Sequence, residues 1–278
     1  MLKAQMNEER KIKLLLDLID DENEHSACMA MAELLKTSRT DLVRSQLCDL
    51  QESANLRVRR RVHQLQTAIQ LRSIRADLAS DLKDGSVPLL DGVMQLHMYW
   101  FDNDTPDTLI GQWNQLCTDF SEAFPPNLAA FGDFMMNRGF RQPVTKEIIE
   151  PEHFCIGCAM DNMPASDLLL AIISKCLTAG SNAGLRIVRS GFNFGVSDFN
   201  GDFIFPGEDW RYVPAEKNQD FEWSIVSDAV ALQTLTSLLF QCAAASDGFR
   251  YMYTLGRLLA ISGGNEDLEF LPYPFNTK

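Results

Sequence analysis

The stretch GLRIVRSGFNFGVSDFNGDFIFPGEDWRYV, residues 184–213, decides between an all-helical chain and one that carries a sheet. Its two halves, 184–198 and 202–213, are rich in β-branched and aromatic residues and flank Asn200-Gly201, a dipeptide that tolerates the positive φ of tight hairpin turns. The pattern predicts a small antiparallel sheet. Its glycines lack the G-x-G-x-x-G order of a dinucleotide loop, and a hairpin accounts for them. Trp210, Tyr212, Phe221 and Trp223 could line a ligand groove, but aromatic residues at alternate strand positions are more often core. The carboxylates Glu208, Asp209, Glu216, Asp220 and Glu222 match no EF-hand spacing and read as a solvated loop.

The flanking sequence reads as helix. Residues 162–180 form a buried helix around LLLAIISKCL, capped by Asn162 and ended by Gly180. After Ser227, two apolar helices meet at Ser246-Asp247-Gly248 and lead into a tail with prolines and aromatics. Upstream, Ser86 and Pro88 open a helix that ends near Trp100, Thr105 and Pro106 occupy N-cap and N1 of the next, and Pro125-Pro126 precede a third that Gly139 closes at C′. The first 80 residues contain an internal repeat. A shift of 31 superposes Ile12 on Val43, Leu16 on Leu47, Ile19 on Leu50, Ala27 on Val58, Met31 on Val62 and Leu34 on Leu65. That is the period of a helix pair, with helices expected at 7–20, 24–37, 40–52 and 56–80 and N-caps at Asn7, Asn23, Thr40 and Asn55. The pairs resemble short HEAT repeats.

Composition narrows the function classes. The 278 residues contain no run near the ~20 apolar positions of a membrane-spanning helix. The opening MLKAQMNEERKIK leads into a helix rather than a signal peptide, so the cytoplasm is expected. Seven cysteines, an odd and scattered set, suit a reducing compartment. Residues 1–80 carry 13 Lys+Arg against 12 Asp+Glu, and the other 198 residues carry 12 against 26, so a net charge of −13 divides into +1 and −14. An acidic body disfavours nucleic acid. The one basic cluster, Arg57, Arg59, Arg60 and Arg61, lies beside Val58, Val62 and Leu65 at i, i+4, i+7, which puts the arginines on the wet side of an amphipathic helix or in internal ion pairs.

Chemistry-bearing residues concentrate in EPEHFCIGCAMDNMP, residues 150–164. Cys155, Cys158 and His153 could ligate zinc, but a structural site wants a fourth ligand, and no second C-x-x-C or H-x-x-H exists. A redox pair needs a strand-to-helix junction in a βαβ setting, which is absent. Cys155 could be a nucleophile activated by His153 or a helix terminus. The remaining reading makes both thiols small buried hydrophobes, the commonest state of free cysteine.

The order of elements resembles the bacterial SirB-type branch of the transglutaminase-like superfamily. Its helix ending in G-F is similar to Arg138-Gly139-Phe140, its D-P-x-N-S-Y-L to residues 150–156, its G-I-P-I-S-L helix start to residues 162–167, its P-G-H-F-L-V strand to residues 190–196, and its D-P-F to Phe205-Pro206-Gly207. Members often close with tetratricopeptide-like helix pairs. The resemblance implies an α+β, mainly helical protein: a HEAT-like module at 1–80, a transglutaminase-like (papain-like) core at 81–226 with a small antiparallel sheet, and a tetratricopeptide-like helix pair and tail at 227–278. It also implies a degenerate triad, because Phe154, Asn193 and Phe205 stand at the nucleophile, histidine and acid positions, with Phe192 and Asp202 nearby. His25, His63 and His97 belong to earlier helices. The expected function is a non-catalytic scaffold or regulatory protein that holds a protein partner, without cofactor, metal, nucleic acid or membrane. The alternative is a cysteine-dependent acyl transferase or peptidase using Cys155.

Overall fold

The computed structural model describes residues 2–37, 40–101, 104–144, 150–180, 184–220, 222–246 and 249–262. Phe221, the Asp247-Gly248 link and the tail beyond Ser262 lie outside the described residues, as does the side chain of Asp220. The chain divides into a unit of residues 1–77 and a unit of residues 78–278.

In the first unit, α1 (Leu2–Asp17) runs into a 3-10 turn (Leu18–Asp20), followed by α2 (Glu24–Lys36), α3 (Thr40–Gln51) and α4 (Leu56–Asp84), within which the division falls. Asn23 caps α2 by accepting from the His25 and Ser26 N–H groups, and Asn55 accepts from the Arg57 N–H. Asn7 is not a cap. The helix formers before it carry α1 back to Leu2, so Asn7 lies within the helix. The residues paired by the 31-residue shift all point inward: Ile12, Leu16, Ile19, Ala27, Leu34, Val43, Leu47, Val58, Val62 and Leu65 are buried, and Met31 and Leu50 pack against them. Arg61 departs from expectation, for it is 3 % exposed rather than on the wet face. Three residues beyond Val58, it shares the inner side of α4. Its guanidinium donates to the Ile19 and Asp21 carbonyls (2.7 and 2.8 Å) and to Glu24 Oε2 (2.7 Å). That charged hydrogen bond and the arginine's field hold the Glu24 carboxyl below its usual range.

The second unit contains three successive helices, of which the second and third are capped by side chains. α5 (Leu89–Trp100) is followed by α6 (Pro106–Ala123), where the Thr105 hydroxyl accepts from the Thr108 N–H, and by α7 (Leu128–Asn137), where Asn127 accepts from the Ala130 N–H. Gly139 takes φ +85° and lets the chain reverse, with its N–H on the Met136 carbonyl and the Phe140 N–H on that of Met135. A 3-10 turn (Pro151–Phe154), α8 (Ile156–Met160) and α9 (Asp167–Thr178) follow. The expected single helix over 162–180 is thus shorter at its start. Pro164 disfavours helical backbone before it, Asn162 takes φ +64° after α8, and Ser166 caps α9 by accepting from the Leu169 N–H (3.2 Å).

The sheet contains β1 (Arg186–Ser190), β2 (Asn193–Ser197), β3 (Phe203–Phe205), β4 (Arg211–Val213) and β5 (Ser224–Ile225) in the order β4-β3-β2-β1-β5, with every neighbour antiparallel. The first half of the decisive stretch is itself a hairpin, turned at Gly191 (φ +59°) and Phe192, and Asn200-Gly201 turns β2 into β3. Ile187, Val196 and Ile204 form one row across the strands and face the main core, while Val188, Phe203, Phe205 and Val213 form a smaller cluster. The apolar α9 packs on β2 and is flanked by α5 and by α10 (Asp228–Ala245), which pairs with α11 (Phe249–Ser262). Among the described residues no helix is long and apolar enough to cross a membrane.

Candidate functional site

The C-x-x-C stretch folds as two linked turns inside the main core. Proline at the first position of the 3-10 turn presets its φ, and Cys155, in extended backbone, then opens α8. The Ala159 N–H donates to the Cys155 carbonyl, and the Ser166 N–H to that of His153 (2.8 Å), which fastens the segment to the start of α9. The His153 ring turns back on its own loop. Its Nδ1 accepts from the Glu150 N–H at 3.3 Å.

Neither thiol is set up as a nucleophile. Cys155 is completely buried, and burial, with Cys158 and Glu152 adding to it, pushes its pKa well above the ordinary value. Cys158 is partly buried and is pushed to about 11, first by burial and then by the carboxylates of Glu152 and Asp161. A thiol with that pKa is ionised in roughly one molecule in ten thousand at neutral pH. Among the described residues no hydrogen bond joins either thiol to a histidine, and no three His, Cys, Asp or Glu side chains converge as metal ligands. His153, Cys155 and Cys158 therefore lie close in sequence without forming one ligand set.

The positions singled out by the superfamily resemblance are dispersed as well. Phe154 is buried in the main core, Phe205 in the smaller cluster, and Asn193 is exposed at the start of β2. Where the central helix α9 meets β2, the residue in place is Asp167, whose Oδ2 accepts from the Phe194 N–H at 2.8 Å. Phe192 is 93 % exposed at the hairpin turn. Asp202 accepts from the Tyr212 hydroxyl and the Ala215 N–H, so its carboxylate organises the loop around the sheet. Trp210 and Trp223 also serve packing: Trp210 donates to the Phe140 carbonyl and meets Phe131 edge-on, and Trp223 meets Phe203. Of the basic cluster, Arg57, Arg59 and Arg60 are exposed, and Arg61 is committed to the interior.

Sequence reasoning passed over the histidine that matters most here. His97, on α5, is 1 % exposed, and its Nε2 lies 2.8 Å from Asp104 Oδ2 in the loop before α6. Its ring rests on Gly157, between Cys155 and Cys158: a Cβ there would lie 2.6 Å from His97 Cε1 and 2.9 Å from Leu109 Cδ2. Burial lowers the His97 pKa below its usual 6.5, against the opposing pull of the Asp104 hydrogen bond and charge. Its Nδ1 is buried without a hydrogen-bond partner among the described residues. The usable signal was a histidine inside an apolar helix with an aspartate seven residues on, but nothing local predicts that the helix of Cys155 and Cys158 would cross it.

A second feature is a polar cleft of about 410 Å³ between α6 and the C-terminal ends of α7 and α8. Gln112 donates to Asp161 Oδ1 (2.7 Å), and Arg138 pairs with Asp119, which also accepts from Gln115. No protein-family model, no curated protein and no solved structure matches this chain.

Proposed function

We propose that this chain is a non-catalytic protein of transglutaminase-like type that acts as a protein-interaction or regulatory scaffold in the cytoplasm. In this reading the HEAT-like pairs and the terminal helix pair offer binding surfaces, and the core between them is a retained framework. The observation that carries it is the state of the thiols: Cys155 is buried and Cys158 partly buried, their pKa values move away from reactivity, and the ring of His153, the histidine beside them in sequence, is turned to the Glu150 N–H instead of a thiol. Acyl transfer by cysteine requires the reverse on each count.

The test is affinity capture with the full chain from native lysate, followed by size-exclusion chromatography with quantified stoichiometry. A partner that co-migrates at fixed stoichiometry is the expected result. Recovery of no such partner, with the tag at either end, would count decisively against the scaffold. The acyl-transferase or peptidase reading instead requires rapid alkylation of Cys155 with an apparent pKa under the ~8.5 of a free cysteine.

A further inference from the structure

We propose that the cleft between α6 and the ends of α7 and α8 binds an extended peptide segment that carries a basic side chain. The inference rests on the protein-interaction reading above and assigns it a surface and a partner chemistry. Asn137 and Asn162 line the cleft, and neither carboxamide has a hydrogen-bond partner among the described residues. A carboxamide offers a donor and an acceptor side by side, the complement of the C=O and N–H of an extended main chain.

Asn162 packs closely against the chain reversal at Gly139. Its backbone is left-handed at φ +64°, and its Oδ1 lies so near Gly139, itself at φ +85°, that a Cβ on the glycine would come within 2.6 Å.

Charge selects the side chain. Arg138, which also lines the cleft, is occupied by Asp119, whereas Asp161 accepts only from the neutral Gln112 and forms no ion pair with Lys or Arg among the described residues. The surrounding sequence, residues 81–278, holds 12 Lys+Arg against 26 Asp+Glu. An ammonium or guanidinium is therefore favoured and a carboxylate repelled. Met136 and Met163, chain neighbours of Asn137 and Asn162, are 42 % and 45 % exposed and supply adaptable apolar contact for flanking side chains.

The experiment is a titration of the full chain followed through its side-chain NH2 resonances by 15N NMR. The probe is an end-blocked seven-residue peptide of alanine, leucine, lysine and arginine, with a glutamate-substituted counterpart and spermidine as comparators. Saturable shifts of Asn137, Asn162 and Gln115 with the basic peptide alone are expected. Asp161→Asn and Asn137→Ala, both at exposed positions whose folding is checked by the backbone spectrum, should each weaken binding by about two- to fivefold. Absence of shifts at millimolar peptide, equal shifts with the glutamate peptide, or shifts with spermidine alone would each overturn the proposal. Its failure is distinguishable from failure of the scaffold reading: a partner captured equally by wild type and by a variant combining Asp161→Asn with Asn137→Ala retires the cleft, and no partner for either retires the scaffold.

Discussion

At His97 the protein keeps an imidazole almost wholly out of water, with one nitrogen on Asp104 and the other without a partner among the described residues. Because burial lowers its pKa in the native state, the unfolded chain binds this proton at a higher pH. The stabilising contribution is therefore complete above the ordinary 6.5 and is lost as pH falls towards the lowered native value; Asp104 and Asp161 soften the effect without reversing it. Urea midpoints should fall between pH 7.5 and pH 5, and His97→Gln should flatten that dependence. Identical slopes in the two proteins would mean that His97 does not titrate in this window.

Two elements are pinned by single positions. In the first unit, Arg61 fastens α4 to the turn between α1 and α2 by donating to two carbonyls and a carboxylate. Arg61→Ala should cost about 3 kcal/mol, read as faster amide exchange across residues 1–77, because the two carbonyls lose a donor in the interior. Arg61→Lys should recover only part, since one ammonium cannot span the three acceptors of a planar fork. In the sheet, Gly195 lets β2 and β3 close together: a Cβ there would stand 2.4 Å from the Ile204 carbonyl oxygen, a backbone atom that cannot swing aside. Gly195→Ala should cost about 3 kcal/mol in urea melts by forcing the strands apart.

Over the whole molecule the seven cysteines are graded by environment. Cys28 and Cys48 are exposed, Cys117, Cys158 and Cys176 are intermediate, and Cys155 and Cys242 are buried. Desolvation raises the shielded thiols, pushing Cys158 and Cys242 to about 11 and Cys176 to about 12 and carrying Cys155 well above the ordinary value. Native alkylation with iodoacetamide at pH 8, read by peptide mass spectrometry, should label Cys28 and Cys48 first and reach Cys155 and Cys242 only on unfolding. Early labelling of Cys155 would reopen the nucleophile reading.

The sequence by itself determined what depends on neighbouring residues and on periodicity. Thr105 and Asn23 cap helices, Gly139 reverses the chain and Asn200-Gly201 turns a hairpin because backbone geometry within a few residues settles each case. The 31-residue period selected the buried faces of α1 to α4 because side-chain direction repeats with the helix. Asn162 and Asn7 were misread where a proline and a longer run of helix formers outweighed a good capping residue. Only the tertiary structure decided that His97 meets Gly157, that Cys155 is dry, that Arg61 turns inward and that Asn137, Asp161 and Asn162 line one cleft. Those outcomes depend on which distant elements pack together and on how much water they exclude, and neither is encoded in local propensity.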